Sequence, residues 1–486
     1  TIDVLIVDLK KRTSLENART VQRSIVASYL SNSSIVKNGA LVAFTNQDSP
    51  DWRFSLVRMD FVLEQGKIKK ELSPAKRYSY LVGPGENCHT VESRLAPLID
   101  VEKNPSLNEI EDAFSVEKVS EKFFYEYRAL FENLVEELKR NHTFTGVAET
   151  NHINTESFAK TLLGQIVFLY FIQKKGWLGA SKNSSLNQGD KNFLRHLYES
   201  AIANNTNFFN DWLEYLFYDA LNNSKRNSVN SCYIERFDGQ IPFLNGGLFE
   251  PKYDWENTFV IIDNAIFKQI LDIFDQYNFT VKEDEPLDKE VAIDPEMLGK
   301  VFENLLEENL RKGKGTYYTP REIVHYMCKE SLANYLKSHI QIVDQESIRN
   351  LVEWDGGLIS FGDGEDEKID KALASIKIVD PACGSGAFLV GMLLEIVKAR
   401  FLIATFSKRF KPSLYQLKKT TIQNSIYGVD IDPGAIEIAK LRLWLSLVVD
   451  HDLNEIEPLP NLDYKIMVGN SLIEKVNDSE FSISSD

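Results

Sequence analysis

The chain has 486 residues, 43% apolar and 26% charged, so it folds around hydrophobic cores and is not a disordered segment. Its 55 basic and 71 acidic residues give a net charge of -16, which excludes a general nucleic-acid coat, because phosphate binding needs surplus Lys and Arg. Cys88, Cys232, Cys328 and Cys383 are scattered, with no C-x-x-C and no Cys/His cluster, which excludes a zinc finger and a disulfide framework.

The predicted elements begin with a small α/β unit. Asp3-Val-Leu-Ile-Val-Asp8 reads as a strand, and Leu15 to Leu30 has helical spacing. Ala40 to Phe44 and Phe54 to Val57 resume as strands, with Asp48-Ser-Pro-Asp51 as the turn between them. Asn104-Pro-Ser106 marks a boundary, Ser106 being placed to cap a helix. Residues 1–105 are therefore expected to form a small accessory domain; they carry 15 basic and 12 acidic residues, against an acidic remainder.

Residues 106–290 read as a helical domain. Val119 to Leu138 sets Phe123, Phe124, Tyr127, Leu130, Phe131, Leu134 and Leu138 on one face. Ser157 to Trp177 is apolar nearly all round, which predicts a buried helix, and its apolar run is far below the ~20 residues that span a bilayer. Phe193 to Ala203 and Asn210 to Leu221 continue the series, and Ile241 to Pro251 interrupts it as a glycine-bearing turn. No basic-then-apolar leader opens the chain, so a reducing cytoplasm and no membrane partner are expected.

Residues 291–486 alternate helix and strand as in a parallel α/β sheet. Helices are expected over Ile323–Leu336, Ala387–Phe401 and Gly434–Val449, and strands over Ile376–Val379, Ser425–Val429 and Tyr464–Val468. Trp354 to Asp370 reads as a surface loop and Asn477 to Asp486 as a frayed end.

The chemistry concentrates at three strand ends. In Ile378-Val-Asp-Pro-Ala-Cys-Gly-Ser-Gly-Ala-Phe-Leu389 a strand delivers Asp380, a turn built on Gly384 and Gly386 follows, and a helix starts at once. Glycine there lets backbone N–H groups approach a ligand, and the helix start adds a positive field. Leu389 stands where a dinucleotide fingerprint has its third glycine, and no Lys-Ser/Thr of a P-loop is present, which lowers NAD and ATP together. Tyr427-Gly-Val-Asp-Ile-Asp-Pro433 ends the second strand, with Asp430 placed to accept both hydroxyls of a ribose and Asp432 to cap the next helix. Val468-Gly-Asn-Ser-Leu472 ends the third; Asn470 serves either an adenine edge or simply a turn. A carboxyamine, a ribose and an adenine along one carboxyl edge match S-adenosylmethionine (SAM).

Asp380 to Leu389 resembles the first cofactor motif of the N6-adenine DNA methyltransferases with the gamma order of motifs, and Gly315-Thr-Tyr-Tyr-Thr-Pro320 the motif that precedes it there. Leu162 to Trp177, Pro242-Phe-Leu-Asn-Gly-Gly-Leu-Phe249 and Pro295-Glu-Met-Leu-Gly-Lys-Val-Phe-Glu303 resemble stretches of the Eco57I-like, type IIG-like restriction–modification methylases. The resemblance implies a Rossmann-like SAM-binding domain over 291–486. Tyr318, Thr319 and Pro320 would line the methionine end, Asp380 would approach the amino group, and Ala382, Cys383, Gly384, Ser385 and Gly386 would supply backbone contacts. Asp430 would hold the ribose, Ile431 would pack on the adenine, and Asn470 would meet the adenine amine, at a position where the family often has Asp. Cys383 is expected to be a small loop residue and not a nucleophile.

The same resemblance implies a site-specific adenine-N6 methyltransferase of a restriction–modification or related phage-defence system, working near the nucleoid of a bacterial cytoplasm. Its partners would be double-stranded DNA and a target-recognition domain or specificity subunit. The family's acceptor motif, Asn/Asp-Pro-Pro-Tyr/Phe, does not occur in this sequence and is expected beyond Asp486, so the chain is expected to bind SAM without transferring a methyl group. The alternative is a non-catalytic SAM-binding scaffold or specificity partner. A cytosine-N4 acceptor is the nearer variant, disfavoured by Gly315 to Pro320 standing before Asp380.

Other motifs have plainer readings. Asp8-Leu-Lys10 fits the Asp-x-Lys of a nuclease, or a salt-bridged strand end; Mg2+ would matter only with a nuclease domain elsewhere. His89 and His325 lack a second ligand at i+4, so packing or solvent is expected for both and no metal. Lys408-Arg-Phe-Lys411 with Lys418 and Lys419 offers either DNA phosphate contacts or a solvated helix end.

Overall fold

The computed structural model describes residues 2–480 apart from 10–18, 33–36, 48, 60, 65–66, 73–74, 100–103, 223–231, 245–246, 281–287, 305–318, 341–344, 355–358, 363, 408–411, 451–458, 474 and 477–478. The expected turn residue Asp48, Lys10, most of the Gly315–Pro320 motif including Tyr318, the Lys408–Lys411 run and most of the expected frayed end lie outside the described residues. The architecture is mixed α/β with a parallel-containing sheet. Two compact units divide the chain: Thr1–Glu137 with Leu194–Tyr198 and Asp263–Met297, and Leu138–Phe193 with Glu199–Ile262 and Leu298–Asp486.

The first unit is built on a five-stranded mixed sheet of β1 (Ile2–Leu9), β2 (Gly39–Asn46), β3 (Ser49–Arg58), β4 (Lys76–Val82) and β5 (Asp288–Glu290), in that spatial order. β1 and β2 run parallel across the helix Arg19–Ser31, β2 to β4 are antiparallel, and β5 is parallel to β4. The turn expected over Asp48–Asp51 is shorter than its sequence suggests: Asn46 already pairs with Ser49, and Ser49 to Asp51 belong to β3. Pro50 sits where the ladder register slips, a position that tolerates its missing N–H.

One sheet face packs Ala40, Val42, Phe44 and Val57 against Val26 and Leu30 of the helix. On that face the registers also place Arg53 opposite Phe44 and Arg77 opposite Val57. Each arginine is 1% exposed. Arg53 pairs with Glu290 of β5 at 3.0 Å, and Arg77 donates to Gln22 Oε1 and Ser79 Oγ, both at 3.1 Å. Ser106 caps the helix Leu107–Ala113 as expected, its hydroxyl accepting from Glu109 N while the Glu109 carboxylate accepts from Ser106 N. In the helix Val116–Arg140 the three- and four-residue spacing buries Phe123 and Tyr127 against Phe274.

In the second unit the all-round apolar stretch is the helix Thr155–Lys174, capped by Asn154 and buried from Leu162 to Gln173. It packs on the helix Pro433–Asp450. Where helical spacing predicts Asn210–Leu221, the chain instead forms two π-helical pieces, Phe209–Leu213 and Tyr215–Leu221, with Glu214 between them. Glu214 is 1% exposed and accepts from the Tyr253 hydroxyl. Burial pushes its carboxyl up to about 8, Asp211 adding to the effect and the Tyr253 bond opposing it. The folded state thus keeps a proton that the unfolded chain releases near its ordinary value of 4.5, so this residue makes stability fall as pH rises from there to about 8. Glu214→Gln is expected to flatten that fall: hydrogen-exchange protection of the Tyr215–Leu221 amides, compared between variant and parent at each pH from 5 to 9, should drop less in the variant. Equal slopes would contradict a neutral Glu214.

The unit's sheet has three parallel strands in sequence order: β6 (Ile378–Asp380), β7 (Ile426–Asp430) and β8 (Ile466–Val468). Helices Ala387–Phe406 and Leu414–Ser425 join β6 to β7, and Pro433–Asp450 joins β7 to β8. Leu332, Leu336, Ile348, Leu373, Ile396 and Ile403 form the core beside them. The helix Arg321–His339 approaches the helix Ala387–Phe406 at Gly391, where a Cβ would lie 2.6 Å from Val324 Cγ1. The loop expected over Trp354–Asp370 gives way at Glu365 to a helix, Glu365–Ser375, whose start Gly364 provides at φ 71°. Among the described residues no helix is long and apolar enough to cross a membrane.

Candidate functional site

Strand register brings the three motif ends together. Asp380 lies opposite Gly428 and Asp430 opposite Val468, so the turns after β6, β7 and β8 open at one carboxyl edge. Gly384 and Gly386 both take left-handed φ, 52° and 82°, which makes glycine the natural residue at each. At Gly384 no atom lies within 4 Å of where a Cβ would stand, so its outer side is open space. At Gly386, the start of the helix Ala387–Phe406, a Cβ would meet Ala439 Cβ at 3.0 Å.

Asp430 organises this edge. Its Oδ2 accepts from Gly384 N at 2.8 Å and its Oδ1 from Asp432 N at 2.9 Å. One carboxylate therefore ties the glycine loop to the turn after β7. Asp380 Oδ1 accepts from Ala382 N at 3.1 Å, and burial, then the nearby Asp430, holds its carboxyl above the usual range against that bond. A cationic or multiply donating ligand at this edge would relieve both effects. Cys383 is buried with its N–H on Val429 O, and burial followed by the charges of Asp380 and Asp430 pushes its thiol up to about 12. That keeps its thiol protonated at neutral pH.

The remaining predicted residues fall as follows. Ala382 is exposed and Ser385 buried, while Ile431 is 59% exposed beside Asp430. Asp432 caps the helix Pro433–Asp450, accepting from Gly434 N at 2.8 Å. Asn470 is exposed and its Oδ1 accepts from Leu472 N at 3.0 Å, a local turn that leaves its amide N–H groups for another partner. Thr319 is half-buried and Pro320 exposed, where Pro320 immediately precedes the helix Arg321–His339.

Spacing alone did not show several contacts around the loop. Ser471 Oγ donates to Pro381 O at 2.8 Å and Arg442 Nη1 to Ser385 O at 3.0 Å. Of the upstream motifs, the third reaches the loop through Gly299, while the first two bond to each other and to segments away from it. Gln165 Nε2 donates to Leu248 O, Leu459 N to Leu244 O, Lys175 Nζ to Val449 O, and a Cβ on Gly299 would stand 2.7 Å from Ser385 Oγ. A charged residue inside the apolar run Leu441-Arg-Leu-Trp444 was the one advance signal for Arg442, since buried arginines need partners.

The plainer motifs resolve separately. His325 pairs with the buried Glu395 at 2.7 Å, and among the described residues no His/Cys/Asp/Glu group is arranged to hold a metal. His89 opens the exposed start of the helix His89–Ile99, its N–H on Asn87 Oδ1. Asp8 accepts from Thr45 Oγ1 and Gln47 Nε2, a strand-end arrangement. The phosphate-contact reading of Lys418 is corrected: it is 6% exposed, paired with Asp450 at 2.6 Å and bonded to Ser446 O. Its spacing places it on the inner face of the helix Leu414–Ser425, away from solvent.

Comparison with known proteins addresses the same segment. Residues 363–466 match the family model described as MmeI, DNA-methyltransferase domain. The chain is 32% identical over 362 residues to RM.MjaORFECS2P of Methanocaldococcus jannaschii, named a putative type II restriction enzyme and methyltransferase, covering 69% of this chain and 29% of that one. It is 25% identical over 315 residues to DNA methyltransferase A of Bacillus subtilis, covering 63% of this chain and 29% of that protein. For the type II restriction enzyme and methyltransferase RM.Eco57I of Escherichia coli the figures are 25% over 251 residues, 47% and 22%. The chain thus spans less than a third of the length of each of these relatives. Family model and relatives together bear out the likeness to the Eco57I-like restriction–modification DNA methyltransferases that the motifs carry.

Proposed function

We propose that this chain is the SAM-binding portion of a site-specific DNA N6-adenine methyltransferase of a restriction–modification system, whose substrate is an adenine flipped out of duplex DNA. The observation that carries the reading is the tie between Gly384 N and Asp430 Oδ2 at the carboxyl edge of a parallel sheet. It leaves open space outside Gly384 and an exposed Ile431 beside it, the cradle that a nucleoside with a charged tail requires.

In this reading SAM supplies an electrophilic methyl group when bound, and the chain's residues hold it. Asp380, held above its usual range, takes the amino group; the backbone from Ala382 to Gly386 and Tyr318, Thr319 and Pro320 surround the methionine end. Asp430 accepts the ribose hydroxyls, Ile431 covers the adenine, and the Asn470 amide meets its edge. DNA and a target-recognition domain or specificity subunit are the partners. Mg2+ has no part in methyl transfer and would serve a nuclease domain alone.

Two measurements test this. Isothermal titration of the chain with SAM should show saturable one-to-one binding; no binding overturns the cofactor assignment. Nucleoside mass spectrometry of DNA from cells expressing the full reading frame should show N6-methyladenine. N4-methylcytosine there overturns the acceptor, and unmodified DNA from a protein that binds SAM supports the scaffold reading instead.

A further inference from the structure

The glycine loop is held from its strand side by Asp430, Val429 and Ser471. A second set of contacts reaches it from behind and belongs to none of the cofactor motifs. Arg442, 3% exposed on the helix Pro433–Asp450, donates from Nη1 to Ser385 O at 3.0 Å. Ala439, three residues earlier on the same face, meets Gly386 so closely that a Cβ there would lie 3.0 Å from its own. Gly299, in the helix Pro295–Asn304, closes the third side: a Cβ would stand 2.7 Å from Ser385 Oγ and 3.5 Å from Arg442 Nη1. Three chain segments thus meet with no room for a methyl group.

The peptide joining Ser385 to Gly386 is therefore fixed at both ends. Its carbonyl is taken by the guanidinium, and its N–H donates to Cys383 O at 2.9 Å, closing the turn. A buried carbonyl without a partner is costly, so losing Arg442 would favour rotation of this peptide and disorder in the N–H groups that follow at the helix start. We propose that Arg442, with Gly299 as the notch that admits the Ser385 side chain beside it, is a positioning residue that presets the cofactor loop for SAM. The proposal rests on the SAM-binding reading.

The test is SAM affinity by isothermal titration on the whole chain, with circular dichroism confirming that each variant is folded. Arg442→Met and Gly299→Ala are each expected to weaken SAM about tenfold, the size of one hydrogen bond to a charged group. Gly299→Ala combined with Ser385→Gly should return close to Ser385→Gly alone, because the colliding side chain is gone. The loss should be smaller for 5′-methylthioadenosine, which lacks the amino-acid half that the loop's N–H groups face in this reading; a purely structural fault would weaken both ligands alike. Parent-like SAM affinity in both single variants, or equal losses for the two ligands, overturns the proposal while leaving SAM binding intact. Absence of SAM binding in the parent chain overturns the reading beneath it.

Discussion

Replacing Asp430 by alanine is expected to abolish measurable SAM binding, a loss of about a hundredfold or more from two bonds to one charged acceptor together with the ribose contact. The reason is that this carboxylate holds the loop and meets the ligand at once. Oδ2 anchors Gly384 N and Oδ1 anchors Asp432 N, so alanine frees the glycine loop and the next turn together. An amide at this position would keep the shape but turn an N–H2 toward one of those two backbone donors. Asp430→Asn should therefore be nearly as damaging as Asp430→Ala, whereas a residue acting only through ribose contacts would tolerate the amide better. Titration of both variants with SAM decides between these; parent-like affinity in either one would remove Asp430 from the site. The fold should survive, since β7 is held by both neighbouring strands through backbone bonds.

The second large effect concerns stability. Arg53 and Glu290 form an ion pair with side chains 1% and 6% exposed. Glu290→Gln takes this counter-charge away from a buried guanidinium, which costs about 3–5 kcal/mol in comparable pairs. The double variant Arg53→Met/Glu290→Met replaces the pair by apolar volume and is expected to recover most of that loss. Because the chain has two compact units, a single melting temperature would blur the result. Hydrogen exchange of the β3 and β4 amides, read by mass spectrometry in each variant, is the local measurement. Unchanged protection in Glu290→Gln would show that the pair contributes nothing to the sheet.

Much of the site was legible because its signals are local. A strand, a left-handed glycine turn and a helix start lie within the twelve residues from Ile378 to Leu389, and each demands particular residues in place. The same holds for Asp432, whose capping role follows from Pro433 after it, and for Ser106, whose partner Glu109 stands three residues on. Periodicity placed the Val116–Arg140 and Thr155–Lys174 helices to within a few residues. It did not distinguish an α-helix from the π-helical turns around Glu214, because a stretch of buried aromatics satisfies either spacing.

The order of residues along the chain specifies the run of secondary elements at the three strand ends and the chemical types offered there. Which distant segments close on them is set by packing. β5, three residues long, joins β4 across some two hundred residues, and no local pattern announces a strand whose register comes from its neighbour. Lys418 reads as a solvent-facing cation until the helix rotation turns it inward to Asp450. Arg442 and Gly299 are separated by more than a hundred residues, and their shared contact with Ser385 exists only because two helices pack against one loop. Local chemistry is encoded over a few residues, whereas partnership across the fold depends on packing, which a linear sequence does not display.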